Sequence, residues 1–193
     1  MLTWLKSLFV SPAPAPSNPR PQLEMIRDDL DNLPVIEIPD GYTVRTYLPG
    51  DETAWGRIME GQVGENWTVD KCRERLTLDA RFKPDNLFFV LCDNQPVAST
   101  CAWSSEKAGP DMGLVHMVAA LPDHHGKGLG NLLNALVLKR FRELGHHRAS
   151  LLTDDWRLAA IKTYLHAGFR PLNTHESHPE RWETVFTQLG VEQ

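Results

Sequence analysis

Two periods of apolar residues alternate along this chain, and each change of period marks an element. From Leu114 to Ala120 an apolar run leads to Pro122. A polar, glycine-dense stretch follows, and then Leu129, Leu132, Leu133, Leu136, Val137, Phe141 and Leu144 recur at helical spacing. This predicts strand, tight turn and long helix. Upstream, Tyr42–Tyr47 alternates and stops at Pro49-Gly50. Asp51 can then cap a helix bearing Ala54, Trp55, Ile58 and Met59, and a second helix runs from Thr68 or Val69 to Leu78. Asn86–Cys92 and Pro96–Ser104 form a hairpin around Asp93-Asn94-Gln95. Leu23–Arg27 and Val35–Ile38 are shorter strand candidates around an acidic turn.

Downstream, Ala149–Thr153 reads as a strand. A helix follows, capped by Asp154 or Asp155, with Leu158, Ala159, Ile161, Tyr164 and Leu165 on its periodic positions and Gly168 as its stop. Ser177-His178-Pro179-Glu180 is a capping box with proline in the first turn, and Trp182, Val185, Phe186 and Leu189 continue it as a C-terminal helix. Strands interleaved with helices predict an α/β architecture with a mixed sheet.

The first ten residues form a short amphipathic stretch with Leu2, Leu5 and Phe9 on one side, and 11–21 is proline-rich, predicting an extended, mobile linker. The expected division is 1–22 for the amphipathic start and linker, and 23–193 for one domain. A chain of 193 residues, 41% apolar and 23% charged, suits one soluble domain. Its net charge of −5 argues against a general binder of nucleic acid or anionic membrane. Cys72, Cys92 and Cys101 are too few and too scattered for a disulfide framework, so a reducing cytosol is the expected location. No run approaches membrane-spanning length. The His and Cys spacings argue against a metal, because His124-His125 and His146-His147 are adjacent pairs. A dimer formed through the amphipathic start is left open.

The chemistry starts at His125-Gly126-Lys127-Gly128-Leu129-Gly130. Glycines at alternate positions tolerate positive φ and let backbone approach a ligand. At a helix start they aim free N–H groups at one point, backed by the helix dipole, which makes an anion site suited to a diphosphate. A P-loop would need Ser or Thr after Lys127, where Gly128 stands, and the Rossmann spacing Gly-x-Gly-x-x-Gly is absent. The turn, after Val118-Ala119-Ala120-Leu121-Pro122, closely resembles the acetyl-CoA signature of GNAT-type N-acetyltransferases, Arg/Gln-x-x-Gly-x-Gly/Ala, with His125 in the first position. Leu158–Phe169 resembles a second block of that family, with Ala160, Tyr164, Gly168 and Phe169 on its positions and Arg157 where Asn is usual. The resemblance covers roughly Tyr42 to Pro171.

That resemblance implies a mostly antiparallel central sheet flanked by helices, to which the C-terminal helix is an atypical ending that closes one end of the acceptor cleft. It implies direct transfer of acetyl from acetyl-CoA to a primary amine on a small molecule or a protein. The turn, His125 to Gly130 with Asn131, would hold the donor, and the backbone of Val118, Ala119 and Ala120 would line a splayed strand beside it. Tyr164 matches the family's general acid. Some relatives carry a Glu base on the fifth strand, where this chain has Leu152. His116, two residues before Val118 and so on the same strand face, is similar to a cleft histidine of arylalkylamine N-acetyltransferases and is the base candidate. Glu60 and Glu65 in the first interhelical loop are its rivals, and Trp67, Trp103 and Trp156 could line the cleft. The competing reading is a non-catalytic acyl-CoA sensor or interaction module, which the replacements at His125 and Arg157 would suit.

Overall fold

A computed structural model describes residues 20–104 and 109–191; the amphipathic start and most of the proline-rich linker lie outside these described residues. Seven strands form one sheet in the order β2-β3-β4-β5-β6-β1-β7. They are β1 (Leu23–Arg27), β2 (Tyr42–Thr46), β3 (Leu87–Cys92), β4 (Gln95–Ser104), β5 (Met112–Ala120), β6 (Arg148–Thr153) and β7 (Arg170–Leu172). Only β5 and β6 run parallel; every other neighbouring pair is antiparallel. The mixed sheet expected from the pattern, and the mostly antiparallel pairing that the resemblance implied, are therefore present, and β1 lies between β6 and β7. Val35–Ile38 is not a strand: with Pro34 and Pro39 around it, it crosses the surface with Val35 79% exposed.

The helices are α1 (Glu52–Met59), α2 (Val69–Cys72, continued by a π-helical turn to Thr77), α3 (Leu129–Glu143), α4 (Leu158–His166) and α5 (His178–Leu189). One face of the sheet buries Trp55, Ile58, Met59, Cys72 and Leu76 of α1 and α2 against Phe89, Cys101 and Trp103. The other buries Phe141, Ile161, Tyr164, Trp182 and Phe186 of α3, α4 and α5 against Leu23, Met25, Val115 and Leu151. Burial of these side chains outweighs local preferences at the caps. Asp51 opens α1, but its carboxylate is taken by Arg45 and by the Leu48 N–H at 2.7 Å. Asp155 does not cap α4; it faces Arg181 of α5. Ser177 starts α5 without bonding its N–H groups and instead pairs with His175 at 2.9 Å. Among the described residues no helix is long and apolar enough to cross a membrane.

Candidate active site

Two irregularities in β5 make room at the centre of the sheet. The parallel pairing with β6 runs from Met112↔Arg148 to Val115↔Leu151, so residues 116–120 continue past it. Against β4 the register shifts: Cys101 pairs with His116 and Ser99 with Ala119, which leaves one extra residue on β5. Met117 absorbs it at φ +55°, a bulge that turns the strand. The bulge also breaks the alternation. His116 lies across from Cys101 and stacks near Trp103 at 5.3 Å on the α1/α2 face, whereas Val118 packs against the α3/α4 face. The expectation that His116 and Val118 share a face is thus corrected.

Beyond Ala120 the chain makes a single helical turn, 122–124, and enters α3 through Gly126 (φ +73°) and Gly128 (φ +79°). Only glycine adopts that conformation without strain, and Gly128 is the residue from which α3 starts. The amide N–H groups of Gly126, Lys127, Gly128, Leu129 and Gly130 have no partner among the described residues. His125 turns back, its Nε2 2.9 Å from the Ala120 carbonyl, and His124 Nδ1 meets the Tyr42 hydroxyl at 2.8 Å. These two contacts tie the turn to β2 and to the end of β5. Gly130 lets α3 lie tight on α4, since a Cβ there would stand 2.9 Å from Thr163 Cγ2. A cavity of about 900 Å³ borders Gly128, Asn131 and Leu132, walled by the 34–40 segment and His166. Five free amides, Lys127 and a helix N-terminus beside such a cavity are a donor set that fits a diphosphate with its nucleotide.

Tyr164 lies on the α4 side, 3% exposed, with its hydroxyl making no hydrogen bond among the described residues. Burial raises its phenol above the usual range, and the positive charge of Arg157 pulls the other way. Arg157, at the N-cap of α4, donates from Nη2 to the Val118 carbonyl at 3.0 Å. Val118 and Tyr164 border the same apolar cluster, so the bulged strand, the guanidinium and the phenol converge.

A family model described as "Acetyltransferase (GNAT) family" matches residues 54–169. The chain belongs to the GNAT acetyltransferase family. A curated relative, a mycothiol acetyltransferase from Thermomonospora curvata, is 33% identical over 155 residues, covering 76% of this chain and 50% of the relative. Among solved structures, a GCN5-related N-acetyltransferase from Sphaerobacter thermophilus superposes with a TM-score of 0.65 at 22% identity, covering 79% of this chain and 50% of that one. A tandem GNAT protein from the clavulanic acid biosynthesis pathway gives a TM-score of 0.60 at 17% identity, covering 86% and 58%. At those identities the structures speak to fold alone. The chain spans about half the length of the curated relatives it matches.

Within this GNAT fold the acceptor-side residues separate. Burial, then the nearby Arg81 cation, lowers His116 to about 4, with Asp79 opposing, so its imidazole is neutral at physiological pH. Glu60 is committed to its own loop, accepting the Asn66 and Trp67 N–H groups at 2.9 Å each, and these bonds hold its carboxyl below the usual range. Glu65 engages Lys71 through its backbone carbonyl. Trp67 packs on Trp55 and bonds the Val63 carbonyl, Trp103 is buried, and Trp156 is 68% exposed. Leu152 is 49% exposed, and the register sets Glu24 of β1 directly across from it. Sequence reasoning missed the engagement of Arg157 with Val118 and the Arg181–Asp155 pair. The departure from Asn at position 157 was the only signal of either.

Proposed function

We propose that this chain transfers an acetyl group from acetyl-CoA directly to a primary amine, without a covalent enzyme intermediate. The observation that carries this reading is the run of five unpartnered amides, Gly126 to Gly130, beside the opened end of β5. Those amides, with Lys127 and Asn131, would hold the diphosphate, and the backbone of Val118, Ala119 and Ala120 would line the pantetheine arm. Acetyl-CoA supplies the acetyl group as a thioester. The amine nitrogen forms a C–N bond and gives up a proton; the C–S bond breaks with its electron pair on sulfur, which gains a proton. An opening between strands gives access to both faces of the sheet, so a phenol on one side and an imidazole on the other can serve one centre. Tyr164 is the acid: burial keeps it protonated until a thiolate draws the proton. His116 is the base, neutral beforehand and taking the proton only once the nitrogen becomes acidic on forming its new bond.

Because the curated relatives are named mycothiol acetyltransferases, amines related to mycothiol are the first acceptors to try. The test is calorimetric titration of acetyl-CoA into the wild type and Gly128→Trp, then thiol release with an amine panel and Tyr164→Phe. Gly128→Trp should lose binding. Tyr164→Phe should keep acetyl-CoA affinity within about twofold and lose about a hundredfold or more in kcat. No binding by the wild type would overturn the reading, and binding without turnover of any amine would favour a sensor.

A further inference from the structure

The loop between β6 and α4 disposes of its charges unevenly. Asp155 is gripped by Arg181 through three contacts of 2.7 to 3.2 Å, and Arg181 also donates to the Pro21 carbonyl at 2.7 Å. Asp154 accepts from the Gln22 amide at 3.2 Å. Both carboxylates are thus drawn toward α5 and the segment before β1, away from Arg157. That guanidinium is half-buried, has no carboxylate within ion-pair distance among the described residues, and gives one of its five N–H donors to Val118. A half-buried cation without an anion is costly to maintain. It is steered by its bond to the strand at the opening and by the Trp156 ring 5.8 Å away. The Tyr164 hydroxyl, in the apolar cluster that Val118 packs against, likewise makes no hydrogen bond among the described residues.

We propose that Arg157 is a catalytic residue whose guanidinium, held on the Val118 carbonyl, takes up the negative charge that develops on the departing thiolate sulfur. Tyr164 then supplies the proton, and Arg157 the field in which the sulfur can leave before the proton arrives. This rests on the donor-site reading above. In the transfer, the C–S pair goes to sulfur and the Tyr164 proton follows it, the amine's proton goes to His116, and both groups return to their starting states by proton exchange with solvent.

The test needs no acceptor. Affinities of CoA and of desulfo-CoA, which lacks the thiol, are compared from about pH 7 to about pH 9.5, across the ordinary thiol range. Tyr164, raised by burial, and His116, already neutral, do not titrate there, so the ratio reports the sulfur. In the wild type the preference for CoA should rise about tenfold with pH, as expected for a thiolate beside a cation. Arg157→Gln should flatten the ratio, and Arg157→Lys should keep part of the rise. Desulfo-CoA binding by each variant shows that its site is folded. A flat ratio in the wild type, or an equal rise in Arg157→Gln, would overturn the assignment while leaving the donor site intact. Failure of the wild type to bind either compound would overturn the donor site itself.

Discussion

Gly130 offers a substitution whose sign is the test. Its backbone is ordinary right-handed helix, so Gly130→Ala should by local preference stabilise the protein by up to about 1 kcal/mol. The packing says the opposite. The new Cβ would stand 2.9 Å from Thr163 Cγ2 and 3.5 Å from both Cβ and Oγ1 of the same residue. Carbon atoms settle at about 3.5 to 4.0 Å, so α3 and α4 must part by roughly half an ångström or more. Thr163 is not free to rotate away: its hydroxyl accepts from the buried Asn134 amide at 3.2 Å and donates to the Ala160 carbonyl at 2.8 Å. Overpacking of this kind costs about 1 to 3 kcal/mol, and with the helical gain of up to about 1 kcal/mol subtracted Gly130→Ala should be destabilised by up to about 2 kcal/mol. Thr163→Ser removes only the clashing methyl and keeps both hydrogen bonds, at about 0.8 kcal/mol for the lost burial. Urea unfolding of the two single variants and the double should therefore show the penalties failing to add, with a coupling of about 1 to 2 kcal/mol. A stabilised Gly130→Ala, or additive losses, would refute the claim that this glycine exists for the helix contact.

Two further outcomes follow from charges on the page. Arg181→Met should cost about 1 to 2 kcal/mol by urea unfolding, because Asp155 loses a charged partner while remaining partly in water, and should speed protease cleavage near 154–157; an unchanged midpoint would show that α5 does not anchor the loop. His116 should make stability fall as pH drops from about 6.5 toward 4, since the unfolded chain takes a proton there that the native one refuses. His116→Gln should remove up to about 3 kcal/mol of that loss, and an imidazole titrating near 6.5 by NMR would contradict it.

The parts of this molecule governed by short-range physics were legible in the sequence. The helical spacing from Leu129 to Leu144 and the glycines before it announce α3 and the tight turn that opens it, and the 178–189 stripe announces α5. Long-range pairing was less so. Leu23–Arg27 reads as a strand, but nothing local says that it pairs with β6 on one side and β7 on the other. The bulge at Met117 is invisible because neither Gly nor Asn marks it, and that is why alternation assigned His116 to the wrong face. Caps misled for a similar reason: Asp51 and Asp155 have the right residue type and position, but arginines six and 26 residues away claim them.

The departures from the family pattern are not scattered. Arg157 stands where Asn is usual, Leu152 where some relatives keep a Glu, and α5 follows β7; all meet around the far end of β6, where β1 also pairs. The donor turn, by contrast, keeps its glycines, and its histidine bonds back to the strand. Residues near both ends of the described chain converge on this region: Gln22 holds Asp154, Arg181 holds Asp155, and the Pro21 carbonyl accepts from Arg181. A donor site constrained by a diphosphate has little freedom, because five backbone amides must point at one place. The opposite end is under no such constraint, so its strands and charges have more freedom to differ. β1, the 154–157 loop and α5 are thereby tied to one another, and Glu24 of β1, across from Leu152, accepts from the Thr174 hydroxyl at 2.6 Å between β7 and α5.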